Sequence, residues 1–302
     1  MSPTTSAIRS LIRTPLRAST MGTPFTLAAG AAVAGLGVYA FYLRNDNSNP
    51  DMALFSGFGF RTLKLESTEL VNHNTKKLRF ELPDRSQPSG LSLTSSLLSV
   101  AIPEGRWFPV FRPYTPVNDL SEPGYIELLV KLYPNGKQSP HLHSLKPGDT
   151  VTFTRLPGYP WTPNQHAHLA MIAGGAGITP MYQLLRGIFR NPEEKTRVTL
   201  VWGVNTDEDI FLRNEFAELE KKYPGRFRAV YTVSQPSEGS KERKGYVTKE
   251  LLEAEGLAAN AEGNKDVKVL VCGPPAMEKA LKTRGTGVLA QLGYRPDQIH
   301  SF

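Results

Sequence analysis

The sequence predicts a small antiparallel β-barrel followed by an α/β domain with a parallel sheet, the pair preceded by a single transmembrane helix. Three observations predict it. Between residues 60 and 155 the apolar residues recur with period two, as in half-buried strands. From His168 onward strand-like runs alternate with helical stripes, the pattern of a parallel sheet covered by helices. Ahead of both, Pro24–Leu43 gives 20 uncharged residues, about 30 Å of helix and enough to span a bilayer.

The elements follow in chain order. Residues 1–23 hold Arg9, Arg13 and Arg17, nine Ser/Thr and no acid, a composition that suits a mitochondrial targeting segment. Residues 24–43 form the predicted anchor. A cleaved secretory signal is the alternative, although the run exceeds the usual 7–15 apolar residues. Residues 44–58, rich in Asn, Ser and Gly, predict a flexible tether. The barrel is predicted over 59–156: Leu78, Phe80 and Leu82 alternate with charged residues, and Ile126, Leu128, Val130 and Leu132 recur at alternate positions. A Pro- and Gly-rich linker is expected at 157–167, and the α/β domain at 168–302. Its strands are predicted at His168–Ala173, Val198–Gly203, Phe227–Thr232 and Val267–Val271. A helical stripe, Leu212, Phe216, Leu219 and Tyr223, lies between the second and third. Residues 234–245 are polar and predict a mobile hairpin or loop.

Composition limits the chemistry. The formal charge is +7, but four arginines in residues 1–45 leave only +3 for the rest, with no basic stripe interleaved with aromatics. That argues against nucleic acid. One cysteine excludes an intrachain disulfide, a Cys-ligated iron–sulfur cluster and a Cys-rich zinc site. His141 and His143, and His166 and His168, lack metal-site spacing and read as solvated residues. Electron transfer would therefore need a bound organic cofactor or haem.

Four motifs carry chemistry. Residues 174–180, GGAGITP, follow a predicted strand and open a predicted helix. Glycines admit close backbone approach, and a helix start aims N–H groups and a dipole at an anion. Thr179 would cap that helix, with Pro180 in its first position. A plain strand–turn–helix connection is the alternative. Arg112-Pro113-Tyr114-Thr115 sits in a strand; Pro113, without an N–H, suggests an edge or bulge. Arg112 offers a planar fork for a phosphate, Tyr114 a ring face and hydroxyl. An exposed Arg beside a packed Tyr explains the same residues without a ligand. Gly136-Lys137-Gln138-Ser139-Pro140 repeats the helix-opening logic, with Ser139 as cap. Cys272–Met277, CGPPAM, follows the last predicted strand, so it and GGAGITP should open on one sheet edge.

In this order the four motifs resemble those of the ferredoxin–NADP reductase superfamily of flavoproteins. Within it the chain resembles the NADH-cytochrome b5 reductase family over residues 58–302 and, with its N-terminal segment, the mitochondrial fungal form. The resemblance implies an FAD-binding barrel and an NADH-binding α/β domain that pass electrons from NADH to cytochrome b5. A reductase serving an oxygenase or quinone, or an inactive membrane-tethered interaction protein, are the alternatives. By resemblance Arg112 meets the FAD pyrophosphate, with Pro113, Tyr114 and Thr115 at the flavin. Val130 and Lys131 line the flavin and nicotinamide region, and Gly136, Gln138 and Ser139 lie beside FAD. Gly174, Gly175, Gly177 and Thr179 frame the nicotinamide, Thr179 also touching the flavin. Cys272 lies near the nicotinamide, and Gly273, Pro274, Pro275 and Met277 pack against the nucleotide. Thr179, Cys272 and Lys131 are thus the residues expected nearest the reacting rings. Asp209 is expected to bind the adenosine ribose and repel a 2′-phosphate, although a helix-start charge is its alternative. Lys137 is expected to face an acidic haem edge. A monomer held single-pass in the mitochondrial outer membrane completes the expectation. Departures are Ala176 for the usual Thr, no Gly-Gln pair in residues 91–100, and no Gly before Pro157.

Overall fold

In the computed structural model, alternation of side chains builds the first half as a six-stranded antiparallel sheet. Residues 53–103, 107–259 and 266–302 are described. The strands are β1 Phe60–Asn72, β2 Thr75–Glu81, β3 Ser96–Ala101, β4 Val110–Tyr114, β5 Tyr125–Lys131 and β6 Thr150–Leu156, in the order β4-β3-β6-β1-β2-β5. On β2, Leu78 and Phe80 are fully buried while Lys76, Lys77 and Arg79 stay half-exposed. Leu78 pairs with Leu128 and Phe80 with Ile126 on β5, so the inward faces of both strands coincide. Phe80 meets Phe153 of β6 edge to face, 5.2 Å between centroids. The predicted barrel is thus an antiparallel sheet with a seam. β4 and β5 are its two edges and do not pair with one another among the described residues. Pro113 lies on edge strand β4, where its missing N–H is harmless.

The second half is a six-stranded parallel sheet. Its strands are β7 His168–Gly174, β8 Arg197–Val204, β9 Phe227–Val233, β10 Arg243–Lys244, β11 Val267–Cys272 and β12 Ile299–Ser301, ordered β10-β9-β8-β7-β11-β12. All four predicted strands are present. Every residue of β7 is buried, as expected of a central parallel strand covered on both faces. The helices are α1 Ser139–Ser144, α2 Ile178–Arg190, α3 Arg213–Lys222, α4 Lys249–Ala254, α5 Pro275–Lys282 and α6 Val288–Gln291. The predicted stripe buries Leu212 and Phe216 beside α2 residues such as Leu185 and Phe189. Trp202 of β8 is fully buried in the same cluster. The order reverses at β7, whose neighbours are β8 and β11. Ligands of such sheets bind at this reversal, beyond the carboxyl ends of the strands.

Two expectations lie beyond the described residues and others need correction. The targeting segment and the 24–43 anchor lie outside the described residues, and among those described no helix is long and apolar enough to cross a membrane. The tether gives way to structure before residue 58. Leu54 and Phe55 are buried in the barrel core, their N–H groups bonded to Pro88 and Ser89 carbonyls, because two apolar residues interrupt the polar run. The 234–245 loop contains β10. Asp207 ties this loop down by accepting hydrogen bonds from Ser237 and Ser240. His168 is buried with Nε2 2.9 Å from Thr199 Oγ1, and His166 lies between Tyr159 and Asp266. Neither is a solvated residue, because each begins or precedes a central strand.

Candidate functional site

The two Gly- and Pro-rich loops meet at the reversal. Gly177 lies so close to the Cys272 carbonyl that a Cβ would collide with it, which requires glycine there. Gly175 adopts φ +52°, a conformation glycine takes readily. Its carbonyl accepts from Trp202 Nε1 at 3.0 Å, fixing the loop to β8. Met277, in the first turn of α5, packs over Gly174: a Cβ there would lie 2.7 Å from its sulfur and 2.8 Å from Pro274. Pro274 and Pro275 are exposed past the strand end. The sequence-predicted Gly174, Gly175, Gly177, Cys272, Gly273, Pro274, Pro275 and Met277 are therefore one cluster.

The helix starts differ from expectation. A 3-10 turn over Gly175–Gly177 runs straight into α2, so Gly177 is the cap and Thr179 already lies inside the first turn. The Thr179 hydroxyl donates to the Ala176 carbonyl at 3.2 Å, and its side chain is almost buried. Ser139 likewise is the first residue of α1. Its hydroxyl turns back to Tyr133, accepting from the N–H at 3.0 Å, and so closes the 133–139 turn instead of capping.

A cleft of 430 Å³ opens at the barrel seam. It is lined by Arg112, Pro113 and Tyr114 of β4, Leu129 and Lys131 of β5, the 133–139 turn, and Ala176 and Thr179 of the other half. One cleft therefore joins three of the four motifs. Val130 lies beside them but faces the barrel core, fully buried. Thr115 is buried just beyond β4, its hydroxyl 3.0 Å from Ser96 Oγ. The Arg112 side chain is exposed, and its Nη1 donates to the Phe111 carbonyl at 2.7 Å. Behind it Gln138 Nε2 donates to Ser99 Oγ (2.7 Å), which donates to the Arg112 carbonyl (2.8 Å). Gln138 is 1% exposed, and its Oε1 has no hydrogen-bond partner among the described residues. A buried acceptor left unmatched costs about 1–3 kcal/mol, so a ligand donor is the natural partner. Sequence reasoning missed Ser99, because no motif marks it, and Tyr133, whose hydroxyl reaches the Ala176 backbone. A larger cavity of 620 Å³ lies between the 119–121 loop, α2 and α3, away from all four motifs. The smaller cleft is where Arg112, Tyr114, the 133–139 turn and the start of α2 converge.

The electrostatics separate the titratable groups. Burial, reinforced by Glu278, pushes the Cys272 thiol up to about 12, so it is neutral at ordinary pH and unsuited to nucleophilic work. Burial also pushes the Tyr114 hydroxyl up to about 12, the nearby Arg112 opposing it. Asp209 is held by groups of the protein. Its carboxylate is 3% exposed, with Oδ1 2.7 Å from Lys131 Nζ and 2.8 Å from Asn74 Nδ2, while Oδ2 accepts from the Thr206 N–H at 3.2 Å. Burial raises its pKa, but the bonds from Lys131 and Asn74 outweigh that and hold it below the usual carboxylate range. Both oxygens thus accept hydrogen bonds from groups of the protein.

The geometry fits what the comparisons with known proteins find. The Oxidoreductase FAD-binding domain family matches residues 62–156 and the Oxidoreductase NAD-binding domain family residues 171–283. "NADH-cytochrome b5 reductase 2" of Emericella nidulans is 46% identical over 92% of this chain and 90% of its own length. The protein of the same description from Pyricularia oryzae is 46% identical over 91% and 88%. The chain belongs to the NADH-cytochrome b5 reductase family. Among solved structures, the cytochrome b5 reductase domain of Ulva prolifera nitrate reductase is 28% identical with a TM-score of 0.70, over 80% of this chain and 97% of that one. Membership makes the chain a flavoprotein oxidoreductase of FAD and NADH, with one cofactor domain per half.

Proposed function

We propose that this chain carries electrons from NADH through FAD to cytochrome b5, with the 430 Å³ seam cleft as the place where the flavin and nicotinamide meet. The observation that carries the reading is the unmatched Oε1 of buried Gln138 in a cleft shared by the Arg112 strand and the Ala176–Thr179 helix start. FAD held there would supply the conversion of a two-electron hydride from NADH into single electrons. The residues do the rest. Arg112 holds a phosphate with the N–H donors that Phe111 leaves over. Tyr114 and Thr115 would support the ring, Gln138 would offer it a hydrogen-bond acceptor, and the 136–139 turn would line its site. Thr179, Lys131 and neutral Cys272 shape the space for the nicotinamide. The Gly174–Gly177 and Gly273–Met277 loops exclude water from it. Nothing in this arrangement needs a covalent bond to the protein.

The same proposal includes a single-pass anchor at 24–43 in the mitochondrial outer membrane, supported by the arginine-rich, acid-free segment before it. It includes docking of an acidic haem edge near exposed Lys137, and a monomer. A purified protein with flavin absorbance that NADH bleaches supports the reading. A colourless protein that gains no flavin from added FAD would sink it.

A further inference from the structure

The 116–121 loop leaves edge strand β4 directly after the motif at 112–115, and side chains of α2 hold it. Gln183 Nε2 donates to the Pro116 carbonyl at 2.7 Å and to the Asn118 carbonyl at 3.1 Å. Arg186 Nη1 donates to the Val117 carbonyl between them at 2.6 Å. Arg190 reaches the Asp119 carboxylate and, at 2.9 Å, the Ser121 hydroxyl. Positions 183, 186 and 190 recur at helical spacing and so share one face of α2. Thr179, one turn before Gln183, is on that face too and lines the seam cleft. A single helix therefore carries the cleft at its start and the loop along its middle.

The same loop bridges the barrel seam. β4 and β5 do not pair among the described residues, but the Val117 N–H donates to the Glu127 carbonyl of β5 at 2.9 Å. Asn118 Oδ1 accepts from the Glu127 N–H at 3.0 Å, and Asn118 Nδ2 donates to the Tyr125 carbonyl at 3.3 Å. Gln183 is 2% exposed and Asn118 3%, so water does not stand in for these bonds. Packing supports the loop little on its outer side, where the 620 Å³ cavity opens between it, α2 and α3. Hydrogen bonds therefore set the loop's place, and Gln183 supplies the buried ones from α2.

We propose that Gln183 is a positioning residue: by pinning the Pro116 and Asn118 carbonyls to α2, it fixes how far strand β4 stands from the helix start that faces it across the cleft. This rests on reading the seam cleft as the meeting place of the two cofactors, with β4 at the flavin and the helix start at the nicotinamide. A side-chain amide suits the post, since its two N–H groups face two carbonyls. A carboxylate there would set acceptor against acceptor, and a thioether would leave both carbonyls unmatched. Transfer between bound rings is steep in distance, and a displacement of about 1 Å costs on the order of 10² in rate. Loss of the pin therefore acts on the hydride step more than on the affinity for either cofactor.

The test compares Gln183→Met, Arg186→Met, Arg186→Lys and Arg190→Ala with the parent, each as the full chain loaded with FAD. Gln183→Met keeps length and volume but no donor. The quantities read are flavin content, NAD+ affinity by titration, the limiting rate of flavin reduction at saturating NADH, and the isotope effect on that rate with NADH deuterated at the transferred position. For Gln183→Met the pin predicts full flavin content, NAD+ affinity within about threefold, and a limiting rate down about tenfold or more. The isotope effect should be no smaller than the parent's, because the slowed step is the transfer itself. Arg186→Met should lose about threefold in limiting rate, and Arg186→Lys, which keeps a donor, should recover most of it. These two variants decide the matter if Gln183→Met does not fold. Arg190→Ala, at the exposed end of the strap, should stay within about twofold of the parent. A parent-like limiting rate in Gln183→Met, a loss confined to NAD+ affinity, or Arg186→Lys no better than Arg186→Met would overturn the proposal. A parent that takes up no flavin would sink the cleft reading and this proposal with it, whereas a loaded parent matched in rate by Gln183→Met sinks the proposal alone.

Discussion

Replacing Arg112 with alanine removes a guanidinium and little else. The residue lies on edge strand β4 with its side chain exposed, so truncation opens no cavity. Its main chain stays fixed, because the carbonyl accepts from Ser99 and the β3–β4 ladder pairs Ser99 with Arg112. Protein stability should therefore change by no more than about 0.5 kcal/mol, as for other surface sites. Ligand binding should change more. Guanidinium carries five N–H donors, and Phe111 takes one. A charge-assisted contact to a phosphate contributes about 1.5–3 kcal/mol, and exposure places this one toward the lower figure. FAD affinity should fall about tenfold to thirtyfold. The assay is the ratio of flavin to protein absorbance after extended dialysis, with titration of FAD into the stripped protein for the dissociation constant. Arg112→Lys should fall between, since it keeps the charge but loses the planar fork. Equal flavin retention in Arg112→Ala and parent would refute the pyrophosphate assignment.

Three further outcomes follow from the geometry. Gly177→Ala should drive the glycine loop away from the Cys272 carbonyl, lowering melting temperature and weakening NAD+ binding at least tenfold, measured by titration; unaltered binding would mean the two loops part freely. Cys272→Ser should retain flavin reduction by NADH, and thiol alkylation of the parent should stay slow until the pH approaches about 12, because only the thiolate reacts; rapid alkylation at neutral pH would contradict the buried neutral thiol. Lys137→Glu should slow electron transfer to cytochrome b5 most at low salt, where the screening length is long, and change ferricyanide reduction less; stopped-flow rates equal to the parent's across salt would remove Lys137 from the docking surface.

The fold was legible where burial is periodic. β2, β5 and the four central parallel strands follow from alternation or unbroken apolar runs. β10 and β12, with two and three residues, carry too little pattern to be seen. The site was legible where backbone constraint dictates residue type. Gly177 must be glycine beside Cys272, and Pro113 suits only an edge. It was not legible where side chains choose between partners. Thr179 and Ser139 have the chemistry of caps, but each helix starts one or two residues earlier than a cap there requires, and their hydroxyls turn to Ala176 and Tyr133. Asp209 shows the same limit. Spacing placed an acid after β8, but only the packing of the halves brings Lys131 and Asn74 to it.

The most direct test is rapid mixing of the purified chain, first with NADH and then with oxidised cytochrome b5, while flavin and haem absorbance are followed together. Flavin absorbance should bleach on mixing with NADH. It then returns as the haem is reduced, with two haems reduced for each NADH consumed. Haem reduction with no prior bleaching of flavin, or bleached flavin that persists in the presence of oxidised cytochrome b5, would contradict it.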